Sequence, residues 1–432
     1  MALKIVIVGA GSAIFGLNCI KDAFLTKELW GSELVLVDID KPALKRIGEV
    51  AEKINREINA GYKISTAIKL NDALPNADFV ITSIAVNRIE LWKKDFEIPK
   101  KHGINHVLGE NAGPGALFHS MRNIPIMIDI CREMEKYCPE AYLLNYTNPE
   151  SRLCLAINKY TNIKVIGLCH QIHAGIKIVA KIFSRDPNTI NVKAWGLNHF
   201  SWIVEMTDKY TGENLYPLFR QKESDFNPSF EKLSRYVFHK FGLFPTSGDG
   251  HLGEFFPYAH EFMSTKGYDF LKYEKRKHLG LNYLENILKG SVPIDSDLLS
   301  PSGEKAFDII KGITFNTNEN IVSANILNDG YISNLPKDSV VEVPVVVNKK
   351  GIQGIKLGEL PQGIAALCQA QINVQKLAVE TGYTGDANLA LQALLIDPNV
   401  PSANAAEEIF KELMQINKAY LPQFKQYYLN NI

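Results

Sequence analysis

The sequence predicts an α/β protein built on a doubly wound parallel sheet, followed by a second, mixed α+β part with a helical C-terminal region. Three observations predict it. Short aliphatic runs alternate with longer helical patterns through residue 170. The first of those runs enters a glycine-rich turn. Beyond residue 190 the alternation gives way to paired strand-like runs, an aromatic-rich stretch and long helical patterns.

Taken in order, residues 4–8 (Lys-Ile-Val-Ile-Val), 34–37, 79–84, 141–144 and 165–168 read as buried strands. Each is short, largely aliphatic and bounded by turn or polar residues. A helix is expected over 41–60, with Asp40 or Lys41 at its start and Gly61 just past its end. Another is expected from about Phe118 to Tyr137, stopped by Pro139. Residues 191–196 and 200–205 read as adjacent strands around Leu197-Asn198-His199, and 340–347 as a further strand. Residues 215–290 are mostly helical, and helices are expected over 358–382, 388–395 and 405–420. No repeat, low-complexity tract or long Gly/Ser linker interrupts the chain. The expectation is two closely packed parts, 1–190 and 191–432.

Composition excludes several classes. Lys plus Arg and Asp plus Glu number 47 each, so the net charge is zero and no general attraction for nucleic acid or anionic membrane is expected. Six cysteines in 432 residues, none in a Cys-x-x-Cys pair, make neither a disulfide scaffold nor a zinc ribbon. No apolar run approaches the roughly 20 residues of a membrane span. The first residues lead into a glycine turn rather than a cleavage site. A cytoplasmic, reducing location is expected.

Gly9-Ala10-Gly11-Ser12-Ala13-Ile14-Phe15-Gly16 follows the first strand and opens a helix. Gly9 permits a tight turn, and Gly11 lets backbone N–H groups approach a pyrophosphate. Ile14 stands where the strict fingerprint has its third glycine. The second strand ends in Asp38, whose carboxylate would accept both ribose hydroxyls and so favours NAD over NADP. The cofactor set expected is Gly9, Gly11, Ser12, Ala13, Asp38 and Asn87. The plainer reading is an ordinary turn and a surface Asp.

Three polar stretches follow successive strands: Asn145-Tyr146-Thr147-Asn148-Pro149, Gly167-Leu168-Cys169-His170 and Gly196-Leu197-Asn198-His199. At the carboxyl ends of sheet strands, Asn148, Cys169, His170 and His199 would converge near the cofactor. Thiolate and imidazole suit a borderline divalent metal; equally, a strand-end Cys or His is often only a packed residue. Two loops add Glu110 and Asn111 (within 109–115) and Asp249, His251 and Glu254 (within 246–258) as acid, base or contact groups. Each of these alone also suits a solvated turn.

The ordered set of these motifs, with Asn334-Leu335-Pro336 and Val341-Glu342-Val343-Pro344, resembles glycoside hydrolase family 4, the NAD- and manganese-dependent glycosidases. The resemblance spans nearly the whole chain. It implies a Rossmann-type domain in a lactate/malate dehydrogenase-like architecture, with residues 1–190 holding NAD and 191–432 serving substrate, metal and oligomer contacts. It also implies chemistry unlike that of two-carboxylate glycosidases. Hydride leaves sugar C3 for NAD⁺, the C2 proton is removed, the aglycone is eliminated from C1, water adds, and hydride returns to C3.

By the same resemblance Cys169 and His199 hold Mn²⁺, other divalent metals being open, and Asn148 contacts substrate. Cys-His at 169–170 resembles the branch acting on non-phosphorylated α-glycosides. His170 or Glu110 is the acid, and Asp249 or His251 the C2 base. Arg88, Asn111 and Arg122 complete the substrate set; the two arginines suit a sugar carboxylate, leaning the expectation to an α-glucuronide or α-galacturonide. An α-glucosidase or α-galactosidase is the alternative. The partners implied are a small α-glycoside or oligosaccharide fragment and further copies of the chain, as homodimer or homotetramer. More distant readings are an NAD-dependent 2-hydroxyacid dehydrogenase, against which a metal-ligating Cys169/His199 pair speaks, and an inactive NAD-binding regulator.

Overall fold

A computed structural model of the chain describes residues 2–430. Its strands in chain order are β1 (Lys4–Val8), β2 (Glu33–Val37), β3 (Lys63–Ala67), β4 (Phe79–Thr82), β5 (Tyr142–Asn145), β6 (Lys164–Gly167), β7 (Ile190–Leu197), β8 (Phe200–Asp208), β9 (Phe244–Pro245), β10 (Glu319–Leu327), β11 (Val340–Asn348) and β12 (Gly351–Gly354). They form one sheet in the order β3-β2-β1-β4-β5-β6-β10-β11-β7-β8-β9, with β12 on β11. From β3 to β6 every pairing is parallel. From β10 onward every pairing is antiparallel.

Helices cover both faces of the parallel half, and its strands show why. In β1 and β2, Ile5, Ile7, Leu34 and Leu36 enter one apolar cluster, while Val6, Val8, Val35 and Val37 enter another. With side chains alternating across the sheet, both sets must be aliphatic, so the strands read as unbroken runs. The helix Lys41–Ile58 starts where the Asp40 carboxylate accepts the Ala43 N–H at 3.0 Å, has Pro42 in its first turn, and ends on Asn59 at φ 55°.

Four features differ from the sequence expectation, each for a physical reason. The strand β3 was not anticipated: its residues are mostly exposed at the sheet edge, so Lys-Ile-Ser-Thr-Ala carries no apolar run. Nor was β10, whose Ser323 and Asn325 are buried polar residues beside the candidate site. The helix expected from residue 358 begins at Gln362, because Pro361 sets its entry and Gly358 sits at φ 97°. The helix expected from Phe118 begins five residues earlier, as Gly113–Tyr137. There a Cβ on Gly115 would lie 2.2 Å from the Gly109 carbonyl oxygen, so only glycine lets the first turn close on the preceding loop.

The sheet is unbroken at residue 190. Asn325 in β10 pairs Gly167 at the end of β6, Glu342 in β11 pairs Asn325, and Gly196 at the end of β7 pairs Glu342. This row of four residues carries the parallel half into the antiparallel half. Among the described residues, no helix is long and apolar enough to cross a membrane.

Candidate active site

The nucleotide end of the site is the turn after β1. Gly9 and Ala10 donate to the Val37 carbonyl at 2.9 and 3.1 Å, which closes the turn against the end of β2. Gly9 sits at φ 86°, and a Cβ there would lie 2.1 Å from the Ser83 carbonyl oxygen. Asp38 faces the turn: its Oδ2 accepts the Gly11 N–H at 2.7 Å and its Oδ1 the Asp40 N–H at 2.9 Å. The Ser12 hydroxyl accepts the Phe15 N–H at 3.2 Å, at the start of the helix Phe15–Leu25. A glycine turn, a helix start and an acidic strand end at the β1/β4 switch point together fit a dinucleotide. Asn87 lies at the start of the helix Arg88–Lys101, where its amide donates to the Tyr420 hydroxyl at 3.2 Å.

Further along the same crevice the row Gly167–Asn325–Glu342–Gly196 sets the ligand pair. The residues just past the ends of β6 and β7 are brought together beside that row. Cys169 Sγ stands 3.1 Å from His199 Nε2. His199 lies in the two-residue connection between β7 and β8 at φ 60°, a left-handed backbone that costs a non-glycine residue about 1–2 kcal/mol. Burial, with the charges of Glu150 and Glu342 nearby, pushes the Cys169 thiol well up. Burial and the neighbouring His251 hold the His199 imidazole well below its ordinary range, so it is neutral.

A neutral imidazole and a half-buried thiol facing each other fit a divalent metal. Cys169 Sγ and His199 Nε2 would hold the ion, which would supply a Lewis acid at this point of the crevice. Below them, the Asn198 amide donates to Glu150 at 3.0 Å and Glu342 at 3.3 Å, and Ser201 Oγ donates to Glu342 at 3.0 Å. This buried network ties the 198–199 turn to β11 and to the helix Glu150–Tyr160.

Beside His199 stands His251, its ring centroid 4.4 Å away. His251 Nδ1 lies 2.9 Å from Glu254 Oε1. Burial lowers the His251 pKa, but Glu254 and Glu110 outweigh it and the net direction is up. Glu110 forms an ion pair with Arg88. Burial alone would raise the Glu110 carboxyl, yet Arg88 and His251 hold it at about 2, so it is a carboxylate at neutral pH. The ring of Trp92 lies under the Arg88 guanidinium at 5.0 Å. His170 is largely exposed at the crevice mouth, with Nδ1 3.5 Å from Glu304 Oε1.

The structure therefore brings Cys169, His199, His251, Glu110 and Arg88 together. Two residues expected here are turned elsewhere. The Asp249 carboxylate accepts Ser234 N at 2.9 Å, Ser234 Oγ at 2.8 Å and Leu233 N at 3.2 Å. It thus caps the helix Lys232–Phe241 instead of facing His199. Arg122 is buried against both oxygens of Asp95, with a third bond to Asn417 Oδ1 at 2.8 Å, because a buried guanidinium demands a carboxylate. Asn111 is buried with its amide on Glu254 at 3.1 Å. The Asn148 carbonyl accepts from the Asn123 amide at 2.8 Å.

Sequence reasoning offered Glu254 only as one of several acid or base candidates in its loop, and left two further groups without a role. Glu254 carried a signal, three residues past His251 in a turn. Glu304 and His119 carried none: His119 is brought beside Glu110 by the helix Gly113–Tyr137, and Glu304 reaches His170 from a segment 134 positions later.

The amino-acid pattern matches the model of the family 4 glycosyl hydrolases over residues 4–184, and that of their C-terminal domain over residues 194–400. An α-galactosidase of Bacillus subtilis is 33% identical, covering 98% of this chain and 100% of its own. An α-glucosidase of Erwinia rhapontici is 31% identical, with the same coverage. An α-galacturonidase of Lachnoclostridium phytofermentans is 29% identical, covering 98% and 97%. Among solved structures, a Bacillus subtilis protein provisionally described as a glucosidase matches with a TM-score of 0.87 at 26% identity, over 95% of this chain and 99% of that one. A 6-phospho-α-glucosidase from gut microorganisms, in complex with NAD and Mn²⁺, matches in fold with a TM-score of 0.85 at 21% identity, over 98% and 100%. A Plasmodium falciparum malate dehydrogenase shares the fold more distantly, with a TM-score of 0.53 at 13% identity, over 90% and 99%.

Proposed function

Because the chain belongs to the family 4 glycosyl hydrolases, we propose that it hydrolyses a non-phosphorylated α-glycoside, with NAD and a divalent metal, manganese, as cofactors. The observation that carries this is the Cys169–His199 pair, 3.1 Å apart and flanked by His251, in the crevice that begins at the dinucleotide turn. When bound, NAD supplies a reversible hydride acceptor and the metal a Lewis acid for oxygens of the sugar.

The chain's own residues supply the rest. Gly11 leaves room for the pyrophosphate, and Asp38 accepts the ribose hydroxyls. Cys169 and His199 hold the metal, and Asn148 contacts the sugar. His251, with Nδ1 turned to Glu254, keeps Nε2 free to take the C2 proton. His170, at the exposed mouth, gives a proton to the leaving oxygen. Glu110 remains ionised against Arg88, which suits it to balance charge rather than to donate a proton. This reading takes His251 over Asp249 as base, because the Asp249 carboxylate is spent on a helix cap. Arg88 pairs Glu110 in the cluster whereas Arg122 is held by Asp95, so uronides stand beside glucosides and galactosides as substrates to test.

The same reading divides the chain near residue 190 into cofactor and substrate parts, places it in the reducing cytoplasm where Cys169 stays reduced, and takes it to be a homodimer or homotetramer. The test is hydrolysis of p-nitrophenyl α-glucoside, α-galactoside, α-glucuronide, α-galacturonide and 6-phospho-α-glucoside, with NAD⁺, Mn²⁺ and a thiol reductant each present or omitted. Cleavage of one non-phosphorylated sugar that needs all three, with no net NADH, is expected. Silence across the panel, with NADH accumulating on a 2-hydroxyacid, would sink the reading.

A further inference from the structure

Glu254 is buried and itself neither gives nor takes a proton in that chemistry. All four of its near partners are nitrogen atoms, three of them N–H donors and the fourth a ring nitrogen of His251. Oε2 accepts the backbone N–H of Glu110 and of Asn111, both at 2.7 Å. Oε1 accepts the Asn111 side-chain amide at 3.1 Å and faces His251 Nδ1 at 2.9 Å. A carboxylate offers about four lone-pair sites, and here every one is occupied. Glu254 therefore has no site left for a metal, although its carboxylate lies with His199 and His251 in a group of the right spacing. Its partners belong to two different segments. One is the loop that carries Glu110 against Arg88; the other is the turn that carries His251 against His199.

We propose that Glu254 is a positioning residue for proton transfer: it fixes His251 as the Nδ1–H tautomer, leaving Nε2 free toward the substrate, and clasps the 110–111 backbone so that Glu110 and His251 keep one spacing. This rests on the function read above. The fixed tautomer follows from chemistry alone, since a carboxylate can only accept. No other group in the described structure holds either the His251 ring nitrogen or these two backbone N–H groups.

The informative substitution is Glu254→Gln. An amide of the same shape accepts on one side only, so it cannot satisfy four donors. If its NH₂ faces His251, that ring must turn Nδ1 into an acceptor and place its proton on Nε2, where a base needs its lone pair. With NAD⁺ and Mn²⁺ saturating, E254Q is expected to lower kcat about 10- to 100-fold, the usual cost of removing an orienting partner. KM should stay within about threefold, since Glu254 does not touch the sugar. The isotope effect of substrate deuterated at C2 should rise, because that step becomes more nearly rate-limiting. A loss of packing alone would lower the active fraction and leave the isotope effect unmoved. Without cofactors, hydrogen exchange of the peptide spanning 109–113 should quicken in E254Q, which reads the clasp independently of turnover.

An active parent chain with an E254Q of near-parental kcat and unchanged isotope effect would overturn the positioning role. Unchanged exchange at 109–113 would overturn the clasp. A parent chain that cleaves no glycoside of the panel fails the functional reading itself, and the role in proton transfer falls with it.

Discussion

Replacing Arg122 by Met separates two roles for this side chain, because the buried pair and the sugar-carboxylate site predict opposite results. Arg122 Nη1 lies 3.1 Å from Asp95 Oδ1 and 2.8 Å from Asn417 Oδ1, and Nη2 bonds the other Asp95 oxygen. The two charged side chains are 3% and 2% exposed. Burial pushes the Asp95 carboxyl up, and Arg122 is what opposes it. Removing one partner of such a pair costs about 3–5 kcal/mol, because it strands a buried charge. The lost bond to Asn417 adds about 1 kcal/mol. Urea unfolding of R122M, D95N and the double variant measures this directly. R122M is expected to lose about 4 kcal/mol, and R122M/D95N clearly less than the two single losses added. The ratio of kcat/KM on uronide to that on glucoside should stay within about threefold, since Arg122 is spent inside the fold. An R122M as stable as the parent, or one that loses uronide turnover tenfold while keeping glucoside turnover, would refute this reasoning.

Other predictions are independent of that pair. Burial, then Arg122 and Arg88, hold His119 down to about 3, below the ordinary 6.5. The unfolded chain takes this proton first as pH falls, so stability is full above about 6.5 and is lost toward 3, by about 2 kcal/mol between pH 7 and 5. His119→Gln should flatten that limb of the pH–stability curve, and an unchanged curve would count against a buried neutral His119. In Gly11→Ala, the new Cβ would lie 2.7 Å from Asp38 Oδ2 and 2.9 Å from Ala43 Cβ. NAD⁺ affinity by calorimetry should fall at least about tenfold, or ~1.4 kcal/mol; an unchanged Kd would move the cofactor away from this turn. The Tyr146 hydroxyl accepts the Lys305 and Ala306 N–H groups at 3.1 and 3.0 Å, at the start of the helix Ala306–Phe315. Tyr146→Phe should cost about 1–3 kcal/mol in urea unfolding. Asp249→Ala should cost about 1 kcal/mol as a lost helix cap. If its kcat collapses instead while the fold holds, Asp249 returns as the base.

Much of the parallel half was legible because its signals are local. Lys4–Val8 is a strand on sequence and in space, since both faces of a buried parallel strand must be aliphatic and no distant partner alters that. Asp40 and Pro42 announce the helix Lys41–Ile58 from within four residues. The strand β3 escaped because its residues answer to an exposed edge, and β10 because the polar Ser323 and Asn325 interrupt the core residues Ile321, Ala324 and Ile326. Cys169 and His199 were legible as residue types past strand ends, but the reason they meet was not. Their strands are not neighbours in one parallel set; the end of each meets a row that β10 and β11 supply.

The sequence by itself determined the alternation that builds the parallel sheet, the glycine turn with Asp38, and the inventory of thiol, imidazole and carboxylate groups that the crevice draws on. Only the tertiary structure decided what each polar group bonds to. Asp249 and His251 stand two residues apart, yet one carboxylate caps a helix while the other side chain faces His199. Glu254 reaches the Glu110 N–H across 144 positions. Those outcomes depend on which donors burial leaves unpaired, and an unpaired buried donor takes whatever acceptor the fold places beside it, at any distance along the chain.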